Sequence, residues 1–536
     1  MIHLIPRPAF YEEKYGEFVL NSTTAVYADP PLEAARDYFV QSIEKACGIR
    51  PAVVVSDKAA IRFLYDVRLP KEGYRLECTS ERIIVQASSH AGALYAGISI
   101  RQLMLAELMD HARVLTMHAV VIEDKPRYEW RGLLLDESRN FFGPVTVKRL
   151  LDMMAYHKLN VLHWHLTDNE GWRIESKKYP ELTEVGSKRK GTQTKAWGKK
   201  DVEWIPYDGY YTQAEIKEIV AYAERLNIMI VPEIDMPAHL GAAIASYPEL
   251  SCRKLPMEVP ILHSDPNCSI IACAGDDFTF KFAYDIIDEM ASLFPAPYFH
   301  IGGDEAPKKE WKKCPKCQAV IRKYNLKNEE ELQGYFNNKI ALYLKRKGKR
   351  LIGWNEVLKA EGLEHSVIAQ YWTPLKDPRV ADHLRNGGSA ILSKHEAFYF
   401  DMPYAMVPLR NTYRFEPEQL GLSNRNDDIL GVEGTLWTEW IMTQERLDFQ
   451  TYPRLEALAE TAWTPASQKN YAEFKERLVK FLPVLDKLGI TYCPSHMWDP
   501  SLWRRLRVTT KFHVSDAHCE YRRALTHYKW KKKKSK

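Results

Sequence analysis

From residue 128 onward the chain keeps repeating one kind of unit, a short apolar run that reads as a buried strand, many followed by a stretch of helical periodicity. The strand runs fall at 131–136, 160–166, 228–234, 298–303, 350–354, 367–372, 390–393 and 429–435. Continuous apolar character, rather than strict alternation, marks strands covered on both faces, and helical crossovers between them call for a parallel sheet. Eight such strands predict an α/β chain whose main body is a (β/α)8 TIM barrel. Helical patterns occupy 146–158, 213–226, 277–293, 330–346 and 453–463. The connections after the fifth, sixth and seventh strands carry weaker patterns, so irregular segments are expected there.

The 536 residues leave room for an accessory domain. Residues 1–125 mix short β-rich runs at 18–20, 52–55 and 82–86 with helical stretches near 32–46 and 89–107, a small α+β domain without a catalytic constellation. The expected organisation is therefore 1–125 accessory domain, 126–470 catalytic barrel, and 471–536 a C-terminal helix (about 471–488) with a basic tail.

A barrel of this type carries its active site at the C-terminal ends of its strands. Those ends read Asp136-Glu137-Ser138-Arg139, then His163-Trp164-His165-Leu166-Thr167-Asp168, then Glu233-Ile234-Asp235, and Gly302-Gly303-Asp304-Glu305. The later strands end in Trp354-Asn355-Glu356, Gln370-Tyr371-Trp372, Tyr399-Phe400-Asp401 and Glu433 with Trp437 and Glu439. Carboxylates, histidines and indoles on one rim suit acid chemistry on a sugar, whose apolar ring face stacks on aromatics. Asp304-Glu305 stands out because two preceding glycines permit a tight turn and close ligand approach. His163 and His165 alternate on a strand and so share a face, the spacing of a metal pair, but structural hydrogen bonding is the simpler expectation.

Four strings in order, Arg131-Gly-Leu-Leu-Leu-Asp136, Asn160-Val-Leu-His-Trp-His-Leu-Thr-Asp168, Val231-Pro-Glu-Ile-Asp-Met-Pro-Ala-His239 and His300-Ile-Gly-Gly-Asp-Glu305, resemble the family 20 glycoside hydrolases, the β-N-acetylhexosaminidases. The resemblance covers roughly residues 1–494. Two positions depart from the family pattern: Ala238 replaces a glycine and Asn169 replaces a second aspartate.

The resemblance implies an exo-acting, retaining enzyme that removes terminal non-reducing β-linked N-acetylglucosamine or N-acetylgalactosamine. It implies substrate-assisted catalysis, in which the 2-acetamido oxygen forms an oxazolinium ion and the protein supplies no carboxylate nucleophile. Glu305 would be general acid and then base, which requires a raised pKa. Asp304 would accept the acetamido N–H, and Tyr399 would donate to the acetamido oxygen. Trp354, Trp372 and Trp437 would wall the pocket, while Arg131, Asp168, Asp401 and Glu439 would hold ring hydroxyls. His239 would join the charge network near the acid, with Glu233 and Asp235 supporting it. No cofactor and no catalytic metal are called for.

Two rival classes meet the residues less well. An amidohydrolase-type metal barrel would use His163-x-His165, but further His or Lys ligands at the fourth to sixth strand ends are missing from the pattern. A non-catalytic sugar-binding barrel should have lost the acid, yet Glu305 is present. The net charge of +5 does not imply nucleic-acid binding, because residues 529–536 carry six lysines and the remainder holds 69 basic against 70 acidic residues. No membrane span and no signal peptide are visible, which reads as cytoplasmic, although a removed export signal would leave the same sequence. Nine scattered cysteines do not suggest a disulfide framework. Cys314-Pro-Lys-Cys317 lacks a second pair for zinc, so a loop staple or free thiols is the expectation. A glycan is the expected partner, and whether the chain pairs as a homodimer is left open.

Overall fold

The computed structural model describes residues 2–109, 111–194, 201–422 and 428–514, with side chains to 510. The N-terminal part forms a seven-stranded mixed sheet in the order Phe10–Leu20, Leu115–Asp124, Tyr74–Cys78, Ile83–Ala87, Ile61–Tyr65, Ala25–Ala28, Ala52–Val53. Helices Glu33–Cys47 and His90–Leu103 pack on it around Phe39, Phe63, Leu76, Val85 and Tyr95. The side chain of Ser89 caps the second helix by accepting from the Gly92 N–H.

Eight parallel strands then close a barrel: Trp130–Asp136, Val161–His165, Met229–Glu233, Tyr298–His300, Arg350–Trp354, Ile368–Tyr371, Ser389–Leu392 and Ile429–Leu436. All seven residues of the first strand are buried, as expected of a strand covered on both sides. Helices Gly143–Tyr156, Gln213–Arg225, Asp277–Leu293, Glu329–Arg346 and Arg454–Trp463 form the longer part of the outer ring. Thr212 and Glu215 start one of them with a reciprocal capping box. After the fifth strand comes only the 3-10 turn Asn355–Lys359, and after the seventh the short helices His395–Phe398 and Leu409–Tyr413. Helix Tyr471–Lys487 follows the barrel, then Leu502–Val514; the lysine tail lies outside the described residues.

The two-residue period of the strands divides the barrel interior into layers. The lowest is apolar, with Trp130, Val161, Val231, Ile352, Ile368 and Ile391 in one cluster. The next is polar yet buried. Glu233 pairs with His163 (3.2 Å), His165 and His300 (2.9 Å) and accepts from the Trp354 indole (3.0 Å). Glu433 takes His163 Nδ1 (2.8 Å), the Trp130 indole (2.8 Å) and the Gln370 amide (2.6 Å). His163 and His165 are thus hydrogen-bonded to carboxylates. Burial opposes the His163 charge, but Glu433 and Glu233 outweigh it and raise its pKa to about 9.

Two expectations need correction. Arg131 holds no sugar hydroxyl: it is fully buried at the opposite end of the barrel, where its guanidinium meets Glu72 (2.9 and 3.0 Å), the Tyr95 hydroxyl (3.0 Å) and the Tyr128 carbonyl (2.8 Å). It begins the first strand, and five residues at about 3.3 Å each put it some 16 Å below the rim. Second, Cys314 and Cys317 are not alone, because the fold brings Cys252 and Cys273 beside them, all four sulfurs within 4.8 Å of one another.

Candidate active site

At the C-terminal end of the barrel a cavity of about 460 Å³ is lined by Arg139, His165, Asp168, Asp235, His239, His263, Asp304, Glu305, Trp372, Pro374, His395, Tyr399, Asp401, Met402, Met406, Trp437, Glu439 and Trp440. That volume suits a small ligand. Of the residues singled out from sequence, Asp168, His239, Asp304, Glu305, Trp372, Tyr399, Asp401, Trp437 and Glu439 come together here. Trp354 lies beneath this wall, fully buried, with its ring 5.7 Å from that of Trp437.

The fourth strand turns at once into Gly302 and Gly303, both at positive φ (63° and 87°). A side chain on Gly302 would fall 2.0 Å from the Asp235 carboxylate, so only glycine allows this closeness. Asp235 in turn accepts from the Gly303 N–H (3.1 Å), and Gln333 donates to the Gly303 carbonyl (2.7 Å). Glu305 follows with φ 45°, a left-handed conformation that is uncommon for a residue with a side chain. Its N–H donates to Glu356 (3.2 Å). Strain held in place by three neighbouring carboxylate and amide groups is what a pre-set catalytic turn requires.

Charge is organised around Arg139. It meets Asp168 (2.8 Å), Asp136 (3.2 Å), Glu170 (3.2 Å) and Glu439 (3.8 Å), and its guanidinium lies over the Trp437 ring at 5.3 Å. Asp168 also accepts from His165 (3.0 Å) and His239 Nδ1 (3.1 Å). Burial would raise the Asp168 pKa, but Arg139, His239 and His165 hold it well below the usual carboxylate range. His239, itself at positive φ, stands with Nε2 3.7 Å from both Asp304 and Glu305. Burial works against its charge, yet Asp168, Asp235 and Asp304 push its pKa well up.

Asp304 differs from Asp168 in having no arginine. Burial, then Glu305 and more distant carboxylates, raise its pKa to about 7 against the opposing pull of His239. Its Oδ1 is buried without a protein partner, as are Asp401 Oδ1 and the Trp372 indole nitrogen. Such atoms are costly unless a ligand meets them. Glu305 is set apart by exposure, its side chain 54% accessible at the mouth. The Trp372 and Tyr399 rings stack at 6.0 Å and 26°, with Trp437 6.5 Å from Tyr399. Asp401 is buried, and its pKa is pushed well up by burial and then by Glu439.

Arg139 stands at the first strand's end in the sequence, yet the resemblance gives it no part. An arginine three residues beyond a strand-terminal aspartate can fold back over the rim, whereas one at the strand's start cannot. That spacing, Asp136-Glu-Ser-Arg139 after a buried strand, was the available signal. Glu356 showed only as part of the fifth strand's end and Gln333 not at all, since their link to the catalytic turn exists only in three dimensions.

Residues 128–466 match the model of the glycosyl hydrolase family 20 catalytic domain, and residues 1–125 that of family 20 domain 2. A β-hexosaminidase of Porphyromonas gingivalis is 36% identical over 92% of this chain, which spans 64% of that protein's length. Among solved structures, an exo β-N-acetylglucosaminidase of Vibrio harveyi in complex with N-acetylglucosamine superposes with a TM-score of 0.82 at 29% identity, covering 92% of this chain and 78% of that one. A β-N-acetylhexosaminidase of Bacteroides fragilis gives a TM-score of 0.80 at 33% identity, covering 92% and 97%.

Proposed function

The chain belongs to glycosyl hydrolase family 20, and we propose that it is an exo-acting, retaining β-N-acetylhexosaminidase working through the substrate's own acetamido group. The observation that carries this reading is the unpartnered, buried Oδ1 of Asp304 in a cavity it shares with Trp372, Tyr399 and Trp437. A carboxylate oxygen among aromatic rings accepts an amide N–H while the rings take the methyl group.

The steps then follow from position. The acetamido oxygen attacks the anomeric carbon as the bond to the leaving oxygen breaks, and Glu305, open to the mouth, delivers its proton to that oxygen. Asp304 holds the acetamido N–H and offsets the positive charge of the oxazolinium ion. Tyr399 donates to the acetamido oxygen, and the rings keep bulk water from the ion. Water next attacks the anomeric carbon, Glu305 takes its proton, and the ring reopens. Two displacements at one carbon retain the β configuration. Asp401, Glu439 and Arg139 line the same cavity with Trp440 and supply acceptors and a donor for ring hydroxyls, which favours removal of one terminal sugar.

The test compares aryl N-acetyl-β-glucosaminide, the matching galactosaminide and a plain β-glucoside. We expect cleavage of at least one N-acetylated substrate and a loss of about 10³-fold or more in kcat/KM for the glucoside, since proximity of an internal nucleophile is worth that much. Comparable rates on the glucoside would overturn substrate assistance.

A further inference from the structure

The loop after the third barrel strand and the loop after the fourth meet outside the catalytic cavity, and their meeting point is made of cysteines. Cys252 and Cys273 come from the first loop, Cys314 and Cys317 from the second. Cys273, Cys314 and Cys317 are buried and Cys252 is half-buried. Sulfur separations are 3.8 Å for Cys252–Cys317, 3.7 Å for Cys273–Cys314 and 3.7 Å for Cys273–Cys317. A disulfide needs about 2.05 Å. A tetrahedral zinc thiolate with bonds of about 2.3 Å instead has sulfurs about 3.8 Å apart along each edge.

The surroundings fit the same geometry. Cys314 ends one short helix and precedes Pro315, and Cys317 lies in the first turn of helix Pro315–Lys323, so a single turn offers two sulfurs to one point. The segments bearing Cys252 and Cys273 are tied by the antiparallel bridge Ser251–Ala272 and by the Cys273 N–H donating to the Leu250 carbonyl (2.7 Å). Gly275 lets the two loops touch, because a side chain there would lie 2.4 Å from the Lys316 backbone. Lys254 and Lys316 flank the cysteines, both bonded to Asp276 (2.8 and 2.6 Å), and place positive charge beside a site that would carry two net negative charges when filled.

We propose that Cys252, Cys273, Cys314 and Cys317 form a tetrathiolate site for structural zinc, clasping the loop of Asp235 and His239 to that of Asp304 and Glu305. Four protein ligands leave no open position for substrate, so the role is to hold loops. The four thiols lose their protons to solvent as they bind one zinc ion, with no change of oxidation state. The proposal stands independently of the hydrolase reading.

Metal analysis of the full chain, purified under reducing conditions without added metal, is expected to find one zinc per chain. Exchange for cobalt should give sulfur-to-cobalt charge-transfer bands and tetrahedral ligand-field bands. Cys273→Ser with Cys317→Ser should lose the metal, whereas Cys47→Ser, a buried cysteine of the N-terminal domain, should keep it. The proposal is overturned if the unaltered chain holds no zinc and takes up no cobalt, if peptide mapping finds these cysteines joined as disulfides, or if the double variant retains full metal content. The first measurement needs no variant, so a failure of the double variant to fold leaves the proposal open to refutation.

Discussion

The two ends of the barrel use the same side chains for opposite purposes. At the lower end Arg131, Lys158, Glu72 and Asp124 meet Tyr74, Tyr95 and Trp463 where the N-terminal domain packs. Lys158 bonds to Asp124 (3.2 Å) and the Tyr74 hydroxyl (2.9 Å), while the Trp463 indole donates to Asp124 (2.9 Å). At the upper end Arg139, His239, Asp168 and Asp304 meet Tyr399 and Trp437. Below, the carboxylates have protein partners. Above, Asp304 and Asp401 keep a buried oxygen without one. Buried charge that is fully paired joins two domains; buried polar groups left partly unpaired are held ready for a ligand by the rigid scaffold. The difference lies in satisfaction, not in composition.

The contrast breaks most visibly at Glu305. Glu305→Gln should cost about 10²–10⁴-fold in kcat on substrates with poor leaving groups, and because the side chain is 54% exposed the melting temperature should hardly move. Unfolding together with loss of activity would show that the turn depends on this carboxylate for structure.

Asp304→Asn sharpens the comparison, since it should lower activity and raise stability. We expect about 10²–10³-fold lower kcat, the scale of losing one group aimed at developing charge. A carboxyl whose folded pKa is raised to about 7 favours folding while protonated and opposes it once ionised. The amide removes that opposition. Its advantage in thermal midpoint should grow as pH rises from about 4 through 7 and be absent at the acid end, and a constant difference across that window would refute the raised pKa.

Arg131→Met tests the lower end. It should destabilise by about 3 kcal/mol, as when one partner of a buried pair is removed, with kcat and KM of the folded enzyme unchanged. Denaturant unfolding and steady-state kinetics check the two halves separately. A selective rise in KM would return Arg131 to the substrate.

Much of this contrast could be read along the chain. The barrel was legible because eight runs of apolar residues need cover on both faces. The catalytic turn was legible because Gly302-Gly303 before two acids makes sense only where backbone bends sharply and something approaches. Strand alternation gives His163 and His165 the spacing of a metal pair, structural hydrogen bonding being the simpler expectation, and the partners Glu233 and Glu433 became visible only when the barrel closed. Arg131 begins its strand, which suits a plain salt-bridge partner; its sugar role rested on the resemblance, and its true partner, Glu72, belongs to the other domain.

The architecture, the rim of acids and indoles, and the turn carrying Asp304 and Glu305 all follow from periodicity and turn chemistry within a few residues. The folded chain settles that Arg139 serves the cavity while Arg131 serves the domain junction. It alone decided that Asp235, Gln333 and Glu356 grip the catalytic turn, and that Cys252 and Cys273 join a pair some forty to sixty-five residues away. Those contacts depend on where separate strands end in space, and local chemistry holds no record of distances set by the closure of a barrel.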